Sequence, residues 1–533
     1  MKVVSVEQAV SYIQDHDTLL IGGSGGGHAV PEALIKGLQQ RYLADHSPLN
    51  ITLLHPVGLG DMVDQGVNRL AYPDLLKRIV TGALVNTPAI QEMAKNDSIE
   101  AYTLPQGSLS QLMREMASGR PGLVSHVGLH TFVDPRHGGG RQSLSAREDL
   151  VELVELDGRE WLFYKPFQVD VAFLRGTTSD EDGNITMEHE AVFGEMLSMA
   201  QAARRNGGIV IVQVERLAQR ATLHPKQVKI PGMLVDLVVV DPHQRQTYLV
   251  DYSPSYAGEL RVPLSAIEAL PLGPRKVIAR RAAMELFPGA VCNLGAGVST
   301  GIANVAAEEG FLDRIVLTNE QGLIGGAPAS GSDAGAGLNY DAIIDQPYQF
   351  DFYDGGGLDL AFLSFAQVDA RGNVNVSRFG EKVIGIGGFQ NIAQNSKKVI
   401  FSGAFTAGGL EIEWHAGQTL IKQEGSFGKF VDLLDQVSFN GEFAFESGQT
   451  IMFITERAVF ERTAQGLTLV EIAPGIDLQK DIFAHMGFQP EVAQDLKVMD
   501  ARLFLPGEMG YAGELSAKEQ INIPARLRRR QEE

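Results

Sequence analysis

The sequence predicts an α/β protein built as two related open halves with mainly parallel sheets, and an active site at the interface between them. Three observations predict it. Short apolar runs alternate with helical patterns along the whole chain. One strand–turn–strand passage recurs at a fixed offset, as a duplicated unit would. The 59 glycines gather in clusters, which suggests tight turns or backbone brought close to a ligand.

The alternation begins at Leu19-Leu20-Ile21, a short strand that runs into a Gly-rich turn. Pro31-Glu32-Ala33-Leu34-Ile35 then opens a helix, with proline at a permitted first-turn position. Leu109, Leu112, Met113 and Met116 repeat at helical spacing after Pro105-Gln106-Gly107, and Gly119 is a plausible stop. Residues 209–214 (IVIVQV) and 234–240 (LVDLVVV) are continuous apolar runs of buried-strand type. A Pro- and turn-rich stretch follows from Pro242 through Tyr252-Ser253-Pro254-Ser255-Tyr256 to Pro274, and a fresh helix-then-strand pattern starts at Lys276. The reading is an amino-terminal half over 1–250, a linker over 251–274 and a carboxyl-terminal half over 275–533.

The repeat supports that division. Residues 170–174 read DVAFL and residues 359–363 read DLAFL, an offset of 189 (359 − 170). At the same offset Asp180 matches Asp369, Gly183-Asn184 matches Gly372-Asn373, and Ile185 matches Val374. A weaker echo links Leu20-Ile21-Gly22-Gly23 with Asn293-Leu294-Gly295-Ala296-Gly297. Between two such halves lies the usual place for a ligand cleft.

With 533 residues the chain exceeds one compact core. Its 44% hydrophobic and 21% charged residues fit a globular protein. A net charge of −20 disfavours nucleic acid and anionic membrane surfaces. The single cysteine, Cys292, excludes an internal disulfide and fits a reducing compartment; in its apolar setting it reads as a small buried hydrophobe. Residues 1–10 (MKVVSVEQAV) lack a signal-peptide core, and no run reaches the length of a membrane span. The expected location is cytoplasmic.

The chemistry concentrates in residues 315–326, I-V-L-T-N-E-Q-G-L-I-G-G. A short strand ends in Asn319-Glu320-Gln321, where α/β sheets place ligands. Glycines at 322, 325 and 326 let backbone approach a substrate closely, and residues 327–337 (APASGSDAGAG) are small enough to form a mobile cover. Local pattern alone also fits a solvated loop carboxylate. A further alternative is a dinucleotide site: Gly295-Ala296-Gly297-Val298-Ser299-Thr300-Gly301 follows a strand and opens a helix, and Glu320 lies 25 residues (320 − 295) beyond, near where a ribose-binding acid would stand. The spacing there is GxGxxxG, not GxGxxG. A non-enzymatic ligand sensor on the same fold is a third reading.

Over nearly its whole length the chain resembles family I coenzyme A transferases, especially the fused short-chain acyl-CoA:acetate or propionate type, with the succinyl-CoA:3-ketoacid enzymes as relatives. Asn319-Glu320-Gln321-Gly322 falls on that family's Ser-Glu-Asn-Gly motif, keeping the glutamate and glycine. Residues 383–389 (VIGIGGF), Lys397-Lys398-Val399-Ile400 and Thr406-Ala407-Gly408-Gly409 resemble its Gly-Gly loop, following strand and turn, and Pro105-Gln106-Gly107 resembles its Pro-Gln-Gly segment. The amino-terminal Gly loop, residues 22–31, carries Ser24 where the family often has phenylalanine and is one residue longer before the proline.

The resemblance implies a ping-pong transfer of coenzyme A between short-chain carboxylic acids through a glutamyl-CoA thioester on Glu320. It implies Gln106 and the Gly388 N–H as oxyanion donors. Asn319, Gly295, Gly297, Gly387, Gly25, Gly26 and Lys382 are expected at the substrate or CoA. CoA is then a substrate, no metal or redox cofactor is expected, and the partners are acyl-CoA and small carboxylic acids. A homo-oligomer is expected. His126 and His130 are four apart but lack an acid to complete a metal site. Arg136 and Arg141 are candidates for CoA phosphates, and residues 526–530 (RLRRR) read as a solvated terminus or an oligomer contact.

Overall fold

The computed structural model describes residues 2–524 and 527, so the basic run at 526–530 lies mostly outside the described residues. The first half is built on an eight-stranded sheet. Its strands are β1 (Lys2–Val3), β2 (Thr18–Ile21), β3 (Ile51–His55), β4 (Leu76–Thr81), β5 (Glu100–Thr103), β6 (Val171–Arg175), β7 (Ile209–Val214) and β8 (Leu237–Val240). Their order is β1-β8-β7-β6-β2-β3-β4-β5, and every neighbouring pair is parallel.

Alternation along these strands makes two apolar layers. Leu20, Leu54, Val80, Ala172, Leu174, Val210 and Val212 pack on one face. Leu19, Ile21, Leu53, Ile79, Val171, Phe173 and Ile211 pack on the other. Burial on both faces is why the strands read as unbroken apolar runs and not as alternating ones.

The second half carries a ten-stranded sheet: β9 (Val291–Leu294), β10 (Val316–Asn319), β11 (Leu323–Ile324), β12 (Ala342–Ile343), β13 (Leu360–Ser364), β14 (Lys398–Ser402), β15 (Thr450–Ile454), β16 (Ala458–Thr463), β17 (Gly466–Ile472) and β18 (Glu491–Val498). The order is β12-β11-β10-β9-β13-β14-β15-β16-β17-β18. The centre, β10 through β15, is parallel. Antiparallel pairs flank it.

The two sheets repeat one plan. β6 lies between β7 and β2, and β13 lies between β14 and β9. Gly22 N–H donates to Phe173 C=O at 2.9 Å, and Gly295 N–H donates to Phe362 C=O at 2.8 Å. The weaker echo in the sequence is therefore a real correspondence of position. After β6, the Asp180 carboxylate accepts from the Asp182 and Asn184 backbones and the Asn184 amide. After β13, Asp369 accepts from the Arg371 and Asn373 backbones and the Asn373 amide. Asn184 Oδ1 then receives Gly232 N–H, and Asn373 Oδ1 receives Gly441 N–H, each at 2.9 Å. Gly183 and Gly372 both sit at positive φ, 84° and 76°, where any Cβ would be strained.

Four local readings shift. β8 starts at Leu237, not at 234, because Asp236 turns its carboxylate onto Val210 N–H and Arg204. The helix after Pro105 begins at Gln106 itself, so Gln106 belongs to its first turn. The helix expected to start at Lys276 starts two residues earlier, spanning Pro274–Ala283. Residues 327–337, read as a flexible cover, are a pinned one. Ala327–Pro328 pairs with Gly337–Leu338, Thr247 and Tyr256 both donate to Asp333, and His28 Nε2 meets Ala334 C=O at 3.1 Å.

The halves meet on three helices, α1 (Gln106–Ala117), α2 (Gln346–Asp354) and α3 (Phe389–Asn395). α1 belongs to the first half; α2 and α3 belong to the second. A Cβ at Gly107 would stand 2.4 Å from Phe350 and 2.5 Å from Asn391, so glycine lets the helices touch. Gly107 N–H donates to Asn391 Oδ1, and Gln111 donates to both Asp351 and Asp354. Burial pushes the Asp354 carboxyl up to about 6.

Asp180 is buried and accepts three hydrogen bonds from its own turn. Asp180→Ala strands those donors, and the expected loss is about 3 kcal/mol, read as a lower thermal unfolding midpoint with the circular dichroism spectrum of the native state retained.

Candidate active site

β10 delivers Glu320 one residue past its carboxyl end. The strand end is held firmly. Thr318 Oγ1 donates to Cys292 C=O at 2.9 Å, Tyr353 O–H donates to Thr318 Oγ1 at 2.8 Å, and Asn293 Nδ2 donates to Tyr353 Oη at 3.2 Å. Cys292 is fully buried, as expected of a small hydrophobe. Beyond Glu320 the chain turns at Gly322, φ 103°, where a Cβ would collide with Ile344 C=O at 2.0 Å. That turn sends β11 back antiparallel to β10 and leaves Glu320 projecting into the space between the halves.

Glu320 is half-buried, and this desolvation raises its carboxyl above its ordinary value; its own backbone N–H, Gln321 and Asn293 pull it partly back. Gln321 Nε2 lies 3.3 Å from Glu320 Oε1. Among the described residues no lysine or arginine lines the surrounding cavity of about 790 Å³, whose charged lining residues are Asp61 and Glu320. A carboxylate that is desolvated and not neutralised by a cation keeps its nucleophilic electron density.

Opposite Glu320 stands loop 384–388 of the second half. It is stitched to the end of β4: Leu84 N–H donates to Ile384 C=O, and the Ile386 and Gly387 N–H groups both donate to Gly82 C=O. A Cβ placed on Gly388 would lie 3.4 Å from Glu320 Cγ, which sets that glycine directly against the carboxylate. Among the described residues no acceptor meets the Gly388 N–H. Gln106 joins the same point from the first half. It is buried, its N–H donates to Gly387 C=O at 2.9 Å, and its Nε2 lies 3.3 Å from Gln346 Oε1. The Glu320 carboxylate, the Gln106 amide and the Gly388 backbone thus line one cavity.

Eight of the ten residues singled out from sequence line this one cavity: Glu320, Gln106, Gly388, Asn319, Gly295, Gly387, Gly25 and Gly26. Two do not. Gly297 forms the positive-φ turn behind the lining residues Gly295 and Ala296. Lys382 is exposed on a short strand, two residues before the lining residue Ile384. Arg136 is paired with Asp134 and Glu160, and Arg141 with Asp149, outside the lining. His126 and His130 lie in a loop, the first against Asn395 and the second against the Phe443 ring, and no group of metal ligands occurs among the described residues. Ser24 sits in the loop turn, its N–H bonded to His28 C=O.

The sequence reading missed the wall supplied by Val57, Gly58, Gly60, Ala83, Val85 and Tyr248. The available signal was the strand-end rule: β3 and β4 each run into a glycine-containing turn, residues 56–60 and 81–83, at the same edge as Gly22.

The cleft sets a strand-end carboxylate between two halves of one repeated α/β plan. The profile of the coenzyme A transferase family matches residues 3–241. The chain is 46% identical over 510 residues to acetate CoA-transferase YdiF of Escherichia coli (strain K12), covering 96% of each chain. It is 45% identical over 511 residues to caffeate CoA-transferase of Acetobacterium woodii, covering 94% of this chain and 97% of the relative. The crystal structure of acyl-CoA transferase YdiF from E. coli O157:H7, a thioester complex with CoA, superposes with a TM-score of 0.91 at 45% identity over 96% of this chain and 97% of that one. The chain belongs to the coenzyme A transferase family, and it is a CoA-transferase. That membership sets aside the dinucleotide reading of the 295–301 loop and the sensor reading alike.

Two outcomes follow from this geometry. Gly388→Ala keeps an allowed backbone, φ −80°, and sets a methyl in van der Waals contact with Glu320, inside the cavity where a substrate would approach; kcat/KM is expected to fall roughly tenfold or more while the thermal midpoint holds. The raised Glu320 pKa means that the folded state binds its proton more tightly than the unfolded state. Its ionisation therefore costs stability as pH rises above the ordinary carboxylate range. Glu320→Gln should melt higher than the native protein at neutral pH, with the difference shrinking as pH falls. A variant that melts lower at neutral pH would contradict the assigned environment.

Proposed function

We propose that the enzyme moves coenzyme A from a short-chain acyl-CoA to a free short-chain, acetate-like carboxylate through a glutamyl-CoA thioester on Glu320. The observation that carries this reading is the uncompensated Glu320 carboxylate set against Gly388 and Gln106 in a cavity between the halves. The names of the relatives support it: one is an acetate and one a caffeate CoA-transferase, and the YdiF structure is a thioester complex with CoA.

Glu320 attacks the thioester carbonyl of acyl-CoA; the C–S bond breaks, leaving an acyl-glutamyl anhydride and CoA thiolate. The thiolate attacks the glutamyl carbonyl, and the first acid departs as its carboxylate. The enzyme now carries CoA as a thioester of Glu320. An incoming carboxylate attacks that thioester, and the thiolate returns to the new acyl group, regenerating the Glu320 carboxylate. Every proton and electron pair is accounted for without a metal or redox cofactor, and CoA is a substrate throughout.

Each addition makes a tetrahedral oxyanion, and one aimed donor is worth about 3–4 kcal/mol. Gln106 Nε2 and the Gly388 N–H are assigned that task, with Asn319, Gly295, Gly387, Gly25 and Gly26 giving close approach to the substrate. The long CoA handle supplies binding energy remote from the reacting carbon, which can be used to orient it. Gly297 and Lys382 are assigned to the outer end of CoA. The 1–250 and 275–533 halves each supply one side of the cleft, with 251–274 between them. No helix among the described residues is long and apolar enough to cross a membrane. The composition fits a cytoplasmic enzyme, one that works on small acids and not on nucleic acid, and a homo-oligomer is the assembly proposed.

Incubation with an acyl-CoA in the absence of acceptor should add the mass of CoA, less water, to the intact chain, mapping to Glu320. Exchange should give parallel double-reciprocal lines, and intersecting lines would count against the covalent route. Glu320→Ala should abolish exchange in a folded protein. Glu320→Asp should be severely impaired, since one methylene moves the nucleophile out of attack geometry. Gln106→Ala should lower kcat and kcat/KM together by roughly 10²-fold; a rise in acyl-CoA KM at constant kcat would make Gln106 a binding residue instead.

A further inference from the structure

Behind Gln106 lies a chain of buried polar groups that the transfer steps above do not use. Gln106 Nε2 lies 3.3 Å from Gln346 Oε1. The Nε2 of Gln346 donates to Glu195 Oε2 at 2.6 Å, and Ser110 O–H donates to the same oxygen at 2.8 Å. Gln346 Nε2 also lies 3.3 Å from Ser110 Oγ. Ser110 and Glu195 come from the first half and Gln346 from the second, so the chain crosses the seam on which α1 and α2 pack. All four side chains are buried.

A glutamine amide is ambiguous by itself, because its oxygen and nitrogen ends have nearly the same shape. An ionised carboxylate is an acceptor only. Glu195 therefore forces the nitrogen end of Gln346 toward itself and the oxygen end toward Gln106. That oxygen in turn selects the nitrogen end of Gln106, whose second N–H is left for the cavity. Without Glu195, Gln346 can turn over and present N–H to N–H, which drives the Gln106 amide out of place.

We infer that Glu195, acting through Gln346, fixes the orientation of the Gln106 amide toward the reacting carbonyl, and that both are positioning residues for CoA transfer. The inference rests on the oxyanion role proposed for Gln106. The environment of Glu195 makes the device pH-sensitive. Its other oxygen, Oε1, is buried without a partner. A proton on either oxygen turns the acceptor-only carboxylate into a group that can also donate, so Glu195 then no longer forces one end of the Gln346 amide toward itself. Burial pushes the Glu195 carboxyl up to about 7. The charged group that faces it, Asp345 just ahead of α2, adds to the rise and is itself paired with Lys229 at 3.3 Å. Because the ionised form is the working one, this contribution to kcat is lost as pH falls through that value.

The test compares kcat and acyl-CoA KM from pH 5.5 to 8.5 (about three units around the Glu195 value) in the full chain and three variants. Gln346→Met and Glu195→Ala should each lower kcat by roughly tenfold with KM within about twofold. Glu195→Gln, whose amide oxygen can still accept from Gln346 and Ser110, should recover most of that kcat and should lose the acid limb centred near 7. Native kcat in Gln346→Met would overturn the inference. So would a Glu195→Gln profile that superposes on the native one, or a Glu195→Gln rate no better than that of Glu195→Ala. If Gln346→Met does not fold, the two Glu195 variants decide by themselves. Failure of the functional reading is distinguishable, because the unaltered chain would then transfer no CoA between acids at all.

Discussion

The structure depends on one costly arrangement: a carboxylate, Glu320, held in a cavity without a cation to neutralise it. Burying an ionised carboxyl opposes folding, so the strand end that carries it has to be anchored by other means. Thr318, Asn293 and Tyr353 form that anchor beneath it, bonded to one another and to the backbone at Cys292 and Thr318. Gly322 forces the chain away at once, so the acid stands alone at the tip of β10. A lysine nearby would stabilise the protein and quench the nucleophile. Its absence from the lining reads as stability given up for reactivity.

The same constraint explains why the protein needs two halves. Glu320 comes from the second half, Gln106 from the first, and Gly388 from a loop of the second half sewn to the end of β4 in the first. Neither sheet alone could bring the proposed nucleophile and the proposed donors to one reacting carbonyl. The seam is therefore polar as well as packed: Gln111, Asp354 and Asn391 tie α1 to α2 and α3. Small shifts of α1 against α2 would change the distance between donor and nucleophile, and Gly107 holds the helices in contact.

Duplication supplied the scaffold and then diverged at the site. The Asp180 and Asp369 turns keep the same three hydrogen bonds and the same bond onward to a glycine N–H. They lie away from the chemistry, where the demand is a stable turn. At the equivalent strand ends after β2 and β9 the loops differ. One half offers Gly25 and Gly26 to the cavity, and the other offers Gly295 and Ala296 beside the Glu320 turn.

Sequence by itself determined the architecture, because its signals are local. Apolar runs buried on both faces mark parallel strands, and a repeated Asp-x-x-Gly-Asn turn marks duplication. Glu320 was legible for the same reason: a strand, a carboxylate and glycines sit within twelve consecutive residues, 315–326. What tertiary structure alone decided is everything that needs two distant segments at once. The Gly388 N–H meets no acceptor among the described residues, while its neighbours, the Ile386 and Gly387 N–H groups, both go to Gly82 C=O, some three hundred residues away (387 − 82 = 305). Lys382 is exposed on a short strand two residues before the lining residue Ile384, a placement beside the cavity that no local pattern gives. The Gln346 and Glu195 side chains carry no motif at all. Their effect on Gln106 exists only where α1 and α2 cross, since a hydrogen bond has direction and range and a sequence has neither.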